Sequence, residues 1–563
     1  MSYSQNLSVN AAINKAFALI DYNIYNDIHK QFEFFQRILL ANDLLTENEK
    51  YEAITIITRV YDSFKIALND GIKRTCESCE QECLATLYCE CCVRKYLKSN
   101  FLNWAPGNKN INNLIQECQM KTLKPNRIIE WIPYNNLENI KYLTKGGCSE
   151  IYTAVWIYGH FTGWNSKEQQ LKRFGRQEVI LKRLENVENA NRNWVGEAKS
   201  HLTISNKWAG VVQCYGLTQE PSNGNYMLVM NEMNTDLRKY LHQNHNKLTW
   251  KERIQIITDI SDALAKIHEE NAIHRDLHSG NILYNFGNAF RISDLGFCGP
   301  ADIPLKSIYG NLPYIAPEVI IRKEQTFKSD IYSIAMLMWE ISSGQPPFIN
   351  YEHNYDLAMY IVNGIRPKIV SGTPLEYKNL MRQCWNADPS KRPDIGTFLN
   401  EIDKLNLFYH SESDDRPEEN NNLKINSNVN SLESYESYTN STSKVFQFEN
   451  LPEPKNATEE ELEAFYSKSI DFNIPDNIDD FDKLNDQKNK KNTPKLCSIF
   501  KVGCKKLFKI LKRNPKDGIQ NDKKGKIICV TACVKTTRKK SKDEIYNNLN
   551  LHSEEQNELE LPK

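Results

Sequence analysis

AIHRDLHSGNILYNFGNAFRISDLGFCGPADIPLKSIYGNLPYIAPE, residues 272–318, is the stretch from which the rest of this chain is read. Two apolar runs, Ile282-Leu283-Tyr284 and Phe290-Arg291-Ile292, flank a turn at 285–289, which predicts a short β-hairpin. Asp276 and Asn281 lie on the loop entering that hairpin and Asp294 stands at its exit. A short length of chain can therefore gather three oxygen-bearing side chains at one place. Such a cluster suits the hard divalent cations that neutralise a polyphosphate.

The order His274-Arg275-Asp276, Asn281, Asp294-Leu295-Gly296, Ala316-Pro317-Glu318 resembles the catalytic and activation loops of a eukaryotic protein kinase. One such triplet is weak evidence; the four together at these separations are highly specific. The resemblance implies an α+β, two-lobed fold with a β-rich N-lobe and a helical C-lobe, and ATP and magnesium as its requirements. It implies that Asp276 takes or orients the proton of the acceptor hydroxyl and that Asn281 and Asp294 hold magnesium.

Upstream, Lys182 at the end of the strand-like run 179–182 matches the lysine that contacts the nucleotide phosphates. Glu197, in the helix-like WVGEAKSHL, matches its ion-pair partner. Residues 143–152 form the turn of the phosphate-covering hairpin, with Gly146 and Gly147, while Thr144 and Ser149 stand where the family carries its first and third glycines. The resemblance also places Ile151, Ile180, Met230, Asn231, Met233 and Leu283 against the nucleotide, Met230 as gatekeeper and 231–233 as the hinge. Ile180 replaces the usual alanine, and His278 the lysine that serine/threonine kinases place two residues after the catalytic aspartate.

Downstream, Ile254, Ile257, Ile260, Leu264 and Ile267 recur at helical intervals behind Thr249, an N-cap. By resemblance Asp330 anchors the catalytic-loop backbone and Arg392 pairs with Glu318. Ser307 and Tyr309 are the hydroxyls expected to be open to regulatory phosphorylation, with Arg275 as a phosphate partner. The ending GNLPYIAPE favours serine/threonine over tyrosine specificity, although Asn311 replaces the usual threonine. The helices that follow are similar to those of the tyrosine-kinase-like group. A rival reading is a pseudokinase scaffold, suggested by the depleted glycine loop, Ile180 and His278. A third makes the charged tail a membrane-attached adaptor.

Residues 1–70 carry helix-spaced apolar positions, including Ile20, Ile24, Ile28, Ile38, Leu39, Ile54, Ile57, Tyr61 and Phe64, broken at 42–48, which predicts two or three packed helices. Within 71–135, Cys76-x-x-Cys79 and Cys89-x-x-Cys92 can each wrap a turn around one ion and together complete a tetrahedral zinc site. A thiol-rich helical hairpin without metal is the alternative, and Cys83 and Cys91 are competing ligands. The lead-in that follows resembles the one found in a large expanded fungal protein kinase family. The kinase domain is expected over 136–407.

The chain has 563 residues, 71 basic and 71 acidic, so no global field favours nucleic acid, and 40% hydrophobic residues leave room for much disorder. No apolar run is long enough to span a membrane, and fifteen cysteines in a cytoplasmic protein are thiols or metal ligands rather than disulfides. Residues 408–563 shift to Asn, Ser, Asp and Glu and are expected to be mostly disordered. Near 495–513, apolar residues share one helical face and lysines fill the rest. This helix suits an anionic membrane surface or a calmodulin-like groove, with Cys497 and Cys504 open to lipidation.

Overall fold

The computed structural model describes residues 5–21, 24–104, 107–122, 124–146, 149–184, 194–285, 289–300, 308–411 and 443–468. Gly147, Ser307 and the basic segment 495–513, with Cys497 and Cys504, lie outside the described residues. Contacts divide the chain into two compact units, with the boundary falling inside one helix.

The first unit contains α1 (Gln5–Ala18), α2 (Ile28–Leu40) and the first part of α3 (Glu47–Leu68). Asp27 starts α2 by accepting the N–H groups of His29 and Lys30. Val9, Ile13, Phe34, Phe35, Leu39, Ala53 and Ile57 form its core. The expected helices are present, but Ile20 and Ile24 fall in the connection between α1 and α2 rather than on a helical face.

The second unit holds everything the kinase resemblance touches. It begins with β1 (Arg74–Thr75), β2 (Glu82–Cys83), α4 (Glu90–Trp104), α5 (Lys109–Lys121) and β3 (Glu130–Trp131). The N-lobe follows with β4 (Leu137–Lys145), β5 (Glu150–Trp156), β6 (Phe161–Asn165), β7 (Gln170–Arg173), β8 (Gln177–Arg183), α6 (Trp194–Lys207), β9 (Cys214–Gln219) and β10 (Tyr226–Asn231). Its six-stranded sheet runs β3-β9-β10-β8-β5-β4, antiparallel except for the parallel β3–β9 pair. Gly216 lets that pair close up, since a Cβ there would lie 1.8 Å from the Glu130 carbonyl oxygen.

The insertion at 159–175 is the β6–β7 hairpin, and it has a purpose that its pattern did not reveal. Its Phe161, Trp164 and Leu171 pack with Tyr88, Val93 and Leu97 of the cysteine-rich element. The Asp62 carboxylate accepts the Thr86 and Leu87 N–H groups, and Arg74 donates to the Ala85 and Tyr88 carbonyls, so the loop before α4 is held from two sides. In a separate core, Ile111 and Ile115 of α5 join Ala198 and Leu202 of α6.

The C-lobe comprises β11 (Thr235–Asp236), α7 (Leu237–Asn244), α8 (Trp250–Glu269), β12 (Ala272–Ile273), β13 (Ile282–Asn285), β14 (Ala289–Ile292), β15 (Gly299–Pro300), β16 (Ile308–Gly310), α9 (Pro317–Ile320), α10 (Phe327–Ser343), α11 (Tyr355–Val362), α12 (Leu375–Cys384) and α13 (Ile395–Ser411). Thr249 and Glu252 form a reciprocal capping box at the start of α8, as the N-cap position predicts. The buried α10 ends on Gly344 at φ 72°, where a Cβ would strike the His245 ring.

One segment of the tail departs from its expectation. Residues 443–468 form β17 (Lys444–Phe446) and α14 (Glu459–Lys468). β17 pairs antiparallel with β16, and Phe446 and Phe448 enter the C-lobe core. Further along, the Lys455 N–H donates to the Val362 carbonyl, and Asn456 bonds both Ala387 and Asn386. Gly364, at φ +89°, leaves the room this crossing needs: a Cβ there would lie 2.2 Å from the Ala457 nitrogen. Low average hydrophobicity over 408–563 concealed a short stretch whose aromatic residues are sufficient to bury it.

Candidate active site

Lys182 lies at the centre of the inter-lobe cluster. Strand β8 carries it beside β5, where it pairs with Ile151. Its Nζ lies 2.9 Å from Glu197 Oε1 on α6 and 2.5 Å from Asp294 Oδ1. Lys182 and Glu197 are almost fully buried, so this pair is an internal one and not two solvated surface charges. Asp294 adopts φ 53°, a left-handed turn rare for a residue with a side chain, and its Oδ1 also accepts the Gly296 N–H at 3.1 Å. The His201 Nε2 accepts the Leu295 N–H at 3.2 Å, tying α6 to the same turn. Sequence reasoning missed His201, one helical turn beyond Glu197 on the same face.

The catalytic loop has the expected hairpin behind it, with Ile282 opposite Ile292 and Tyr284 opposite Phe290. Asp330 holds the loop from beneath, its carboxylate accepting the His274 N–H at 2.9 Å and the Arg275 N–H at 3.1 Å. Burial by itself would raise the Asp330 pKa; the bond from His268 and the charges and N–H groups around it outweigh burial and hold it below its ordinary value. Arg392 grips Glu318 with two bonds of 2.7 Å, and both side chains are buried. Both positional expectations hold.

Asp276 and Asn281 face each other across the loop. Asn281 Nδ2 donates to the Asp276 carbonyl oxygen at 2.9 Å and stands 3.4 Å from Asp276 Oδ2. This leaves the amide oxygen of Asn281 at the opposite end, and that oxygen and the Asp294 carboxylate are both of the donor type a hard divalent cation takes. The acceptor side of Asp276 is engaged. The Ser443 hydroxyl donates to Asp276 Oδ1 at 2.7 Å and lies 3.0 Å from His278 Nε2. His278 Nδ1 accepts the Gly280 N–H at 3.1 Å, leaving Nε2 as the protonated nitrogen that donates to Ser443. Burial pushes the His278 imidazole down to about 3, with Arg238 and His274 adding to the effect, so the ring is neutral. Neither His278 as a donor nor Ser443 was legible as part of this site.

The residues expected against the nucleotide come together from both lobes. Ile180 pairs with Met230 across β8 and β10, and Met230, Ile180, Met233 and Leu283 belong to one apolar cluster. Asn231 N–H donates to the Gln213 carbonyl at 2.9 Å, while its side-chain oxygen accepts the Tyr215 hydroxyl at 2.9 Å. Gly146 N–H donates to the Ser149 carbonyl at 2.8 Å and closes the hairpin turn. The Ser149 hydroxyl is buried without a hydrogen-bond partner among the described residues. Ser149, already marked by the sequence as standing in place of a glycine, thus brings an unbonded donor into the turn.

Tyr309 contradicts its expectation. It is buried on β16 and stacks on Phe297 with ring centroids 3.8 Å apart, because β17 covers that strand. Arg275, expected to await a phosphate, has Nη1 on the Phe297 carbonyl at 3.3 Å.

In the cysteine-rich element the thiols of Cys76, Cys79, Cys89 and Cys92 all lie within 4.8 Å of one another. Cys76 and Cys92 stand 3.7 Å apart, Cys79 and Cys89 3.6 Å. A zinc tetrahedron with Zn–S distances of about 2.3 Å has edges of about 3.8 Å, close to these two separations. Burial works against the Cys76 thiolate, but the N–H groups of Ser78 and Cys79 prevail and bring its pKa to about 6. Cys83 instead donates to the Arg74 carbonyl, outside the set of four.

Residues 137–402 match the family described as protein tyrosine and serine/threonine kinase. The chain is 32% identical over 168 residues to a dual serine/threonine and tyrosine protein kinase of Apis mellifera, covering 28% of this chain and 17% of that one. It is 28% identical over 246 residues to the serine/threonine-protein kinase STY17 of Arabidopsis thaliana, covering 42% of each. It is 30% identical over 197 residues to the dual specificity protein kinase zakA of Dictyostelium discoideum, covering 32% and 25%. The chain thus spans less than half the length of each of these relatives. The buried lysine bridge, the anchored catalytic loop and the family match converge on one domain, and residues 137–402 belong to the eukaryotic protein kinases, consistent with the tyrosine-kinase-like group.

Proposed function

We propose that this chain transfers the γ-phosphoryl group of ATP to serine or threonine hydroxyls of proteins. The observation that carries the reading is the Lys182 ammonium held between Glu197 and Asp294, with Asp276 and Asn281 on one anchored loop. Phosphoryl transfer relies on positioning and on charge placed in advance, which is what these groups supply. Lys182 binds and orients the nucleotide phosphates, Glu197 fixes Lys182, and Asp276 orients the acceptor hydroxyl and receives its proton. Bound at Asp294 and Asn281, magnesium would neutralise polyphosphate charge. Serine or threonine is favoured over tyrosine by reach, since a serine already meets Asp276 while its backbone leads directly into a strand paired with β16.

The four cysteines hold a structural zinc that fixes the loop under the β6–β7 hairpin. Metal analysis of the full chain is expected to find zinc at unit stoichiometry, lost in Cys79→Ser.

Radiolabel transfer from ATP to a generic protein substrate tests the enzyme reading. Wild type is expected to label it, with Asp276→Asn and Lys182→Met reduced by orders of magnitude. Equal incorporation by all three proteins, or none by wild type, would leave a binding scaffold as the better description.

A further inference from the structure

Ser443 meets Asp276 as a phosphoryl acceptor would meet its base. Its hydroxyl donates to Asp276 Oδ1 at 2.7 Å, inside the range in which a general base works. The Nε2–H of His278 occupies one lone pair of the Ser443 oxygen at 3.0 Å, which directs the other away from the imidazole. The following residues run as a strand against the end of the activation segment, Lys444 opposite Gly310, Val445 opposite Tyr309 and Phe446 opposite Ile308. An extended peptide added to a strand edge is a standard mode of substrate recognition. Gly310 makes the approach possible: it adopts φ +137°, and a Cβ there would lie 3.3 Å from Asp276 Oδ1.

The docking is deep and specific. Ser443 is 6% exposed, Phe446 and Phe448 are buried in the C-lobe core, and Leu451, Leu462 and Phe465 pack against it. Thr458 and Glu461 cap the first turn of α14 reciprocally. The end of α13 at Ser411 connects to Ser443 through 412–442, and at roughly 3.3 Å per extended residue this length easily returns to the site. A tethered segment presents its serine at an effective concentration of the order of millimolar, which no separate substrate readily matches.

We propose that Ser443 is a phosphorylation site that this kinase modifies in cis, the segment 443–468 being its own docked substrate. This rests on the kinase reading above. In the step, the Ser443 oxygen forms a bond to the γ-phosphorus of ATP, and the bond from that phosphorus to the β,γ-bridging oxygen breaks. ADP leaves with that bond's electron pair, and the Ser443 proton passes to Asp276. Once Asp276 releases that proton to water, the product carries a phosphate dianion beside the restored carboxylate, and like-charge repulsion in a buried site displaces the strand. The same transfer that marks Ser443 therefore clears the acceptor site for other proteins.

The test uses the full chain with ATP and magnesium, phosphosites mapped by mass spectrometry, and a generic protein substrate followed in parallel. Phosphate is expected on Ser443 in wild type, at an initial rate per molecule unchanged by tenfold dilution. A tagged Lys182→Met chain mixed with wild type should stay unmodified at Ser443. Ser443→Thr should accept phosphate and Ser443→Ala should not, both being read on folded protein. Labelling of the generic substrate with Ser443 unmodified overturns the inference and leaves an occluding segment in its place. Modification of the Lys182→Met chain by wild type overturns the cis assignment. Absence of labelling on both substrate and Ser443 overturns this inference together with the kinase reading.

Discussion

Two segments meet at the Asp276 carboxylate, and they are held in place by different forces. The catalytic loop is fixed by buried, charge-assisted bonds: Asp330 takes two of its N–H groups, and the Glu318–Arg392 pair locks the segment that follows. The returning segment 443–468 is held by a short edge strand, a few aromatic side chains and ion pairs at its rim, such as Lys323–Glu453 and Arg382–Glu459. Cutting a bond in the first set leaves a charge stranded in the interior, whereas cutting one in the second lets the segment lift into water. The first is therefore part of the global fold, while the second is a local equilibrium laid over it.

Glu318→Ala is the strongest way to break that contrast. It leaves the Arg392 guanidinium buried without its carboxylate, which costs about 3–5 kcal/mol. The melting temperature of the whole kinase domain should fall by many degrees, and hydrogen exchange should quicken across α9, α10 and the catalytic loop together. An unchanged melting temperature would show that the pair is not integral to the lobe.

Phe446→Ala should behave in the opposite way. Removing a buried phenylalanine costs about 3–5 kcal/mol where the site cannot collapse, but here the segment can detach instead. The expected outcome is fast exchange at 308–310 and 444–468, with the domain's melting temperature shifted by only a few degrees. A loss of global stability equal to that of Glu318→Ala would make the segment an obligate part of the core, and the contrast would fail.

The same difference governs what the sequence could tell. The catalytic hairpin was legible because its partners lie within a few residues and its alternation is local. The Glu318–Arg392 and Lys182–Glu197 pairs span long separations and were legible only through the family resemblance. The hairpin at 159–175 was visible as an insertion, but nothing in Phe161, Trp164 or Leu171 says that they pack on a cysteine-rich element. The returning segment did carry signals: the alternation Phe446, Phe448, the prolines Pro452 and Pro454, and Thr458 three residues before Glu461. They were averaged into a long polar tail, and their partner surface, the edge of β16, is created only by the folded lobe. Tyr309 was misjudged for the same reason, since its burial comes from a strand more than a hundred residues away.

Acidification separates the two regions by a smaller margin. Burial pushes His278 of the catalytic loop down to about 3, against an ordinary histidine value of about 6.5. The unfolded chain therefore takes up a proton that the folded chain refuses. The stability this contributes is whole above about pH 6.5 and drains as the pH falls toward the folded value. Between pH 6.5 and 5 the loss from this group is about 2 kcal/mol at most. His278→Gln should flatten the fall in melting temperature over that window, whereas Lys323→Ala, which leaves the segment docked over the imidazole, should leave its slope unchanged. An identical slope in wild type and His278→Gln would mean that the imidazole is hydrated and titrates normally.

Lys323→Ala sharpens the comparison by expecting almost nothing. Its partner Glu453 belongs to the returning segment, and both side chains are more than half exposed. Exposed ion pairs are worth roughly 0–1 kcal/mol because water competes for both charges and two long side chains must be ordered. Exchange at 444–468 should therefore change by less than about fivefold, and less still at high salt, where the pair is already screened. The value of the measurement lies beside Phe446→Ala. If the apolar anchors set the docking, the lysine variant stays near wild type while the phenylalanine variant opens the strand. Should the two variants open it equally, the segment would be held chiefly by charge, and its release would follow ionic strength rather than the state of Ser443.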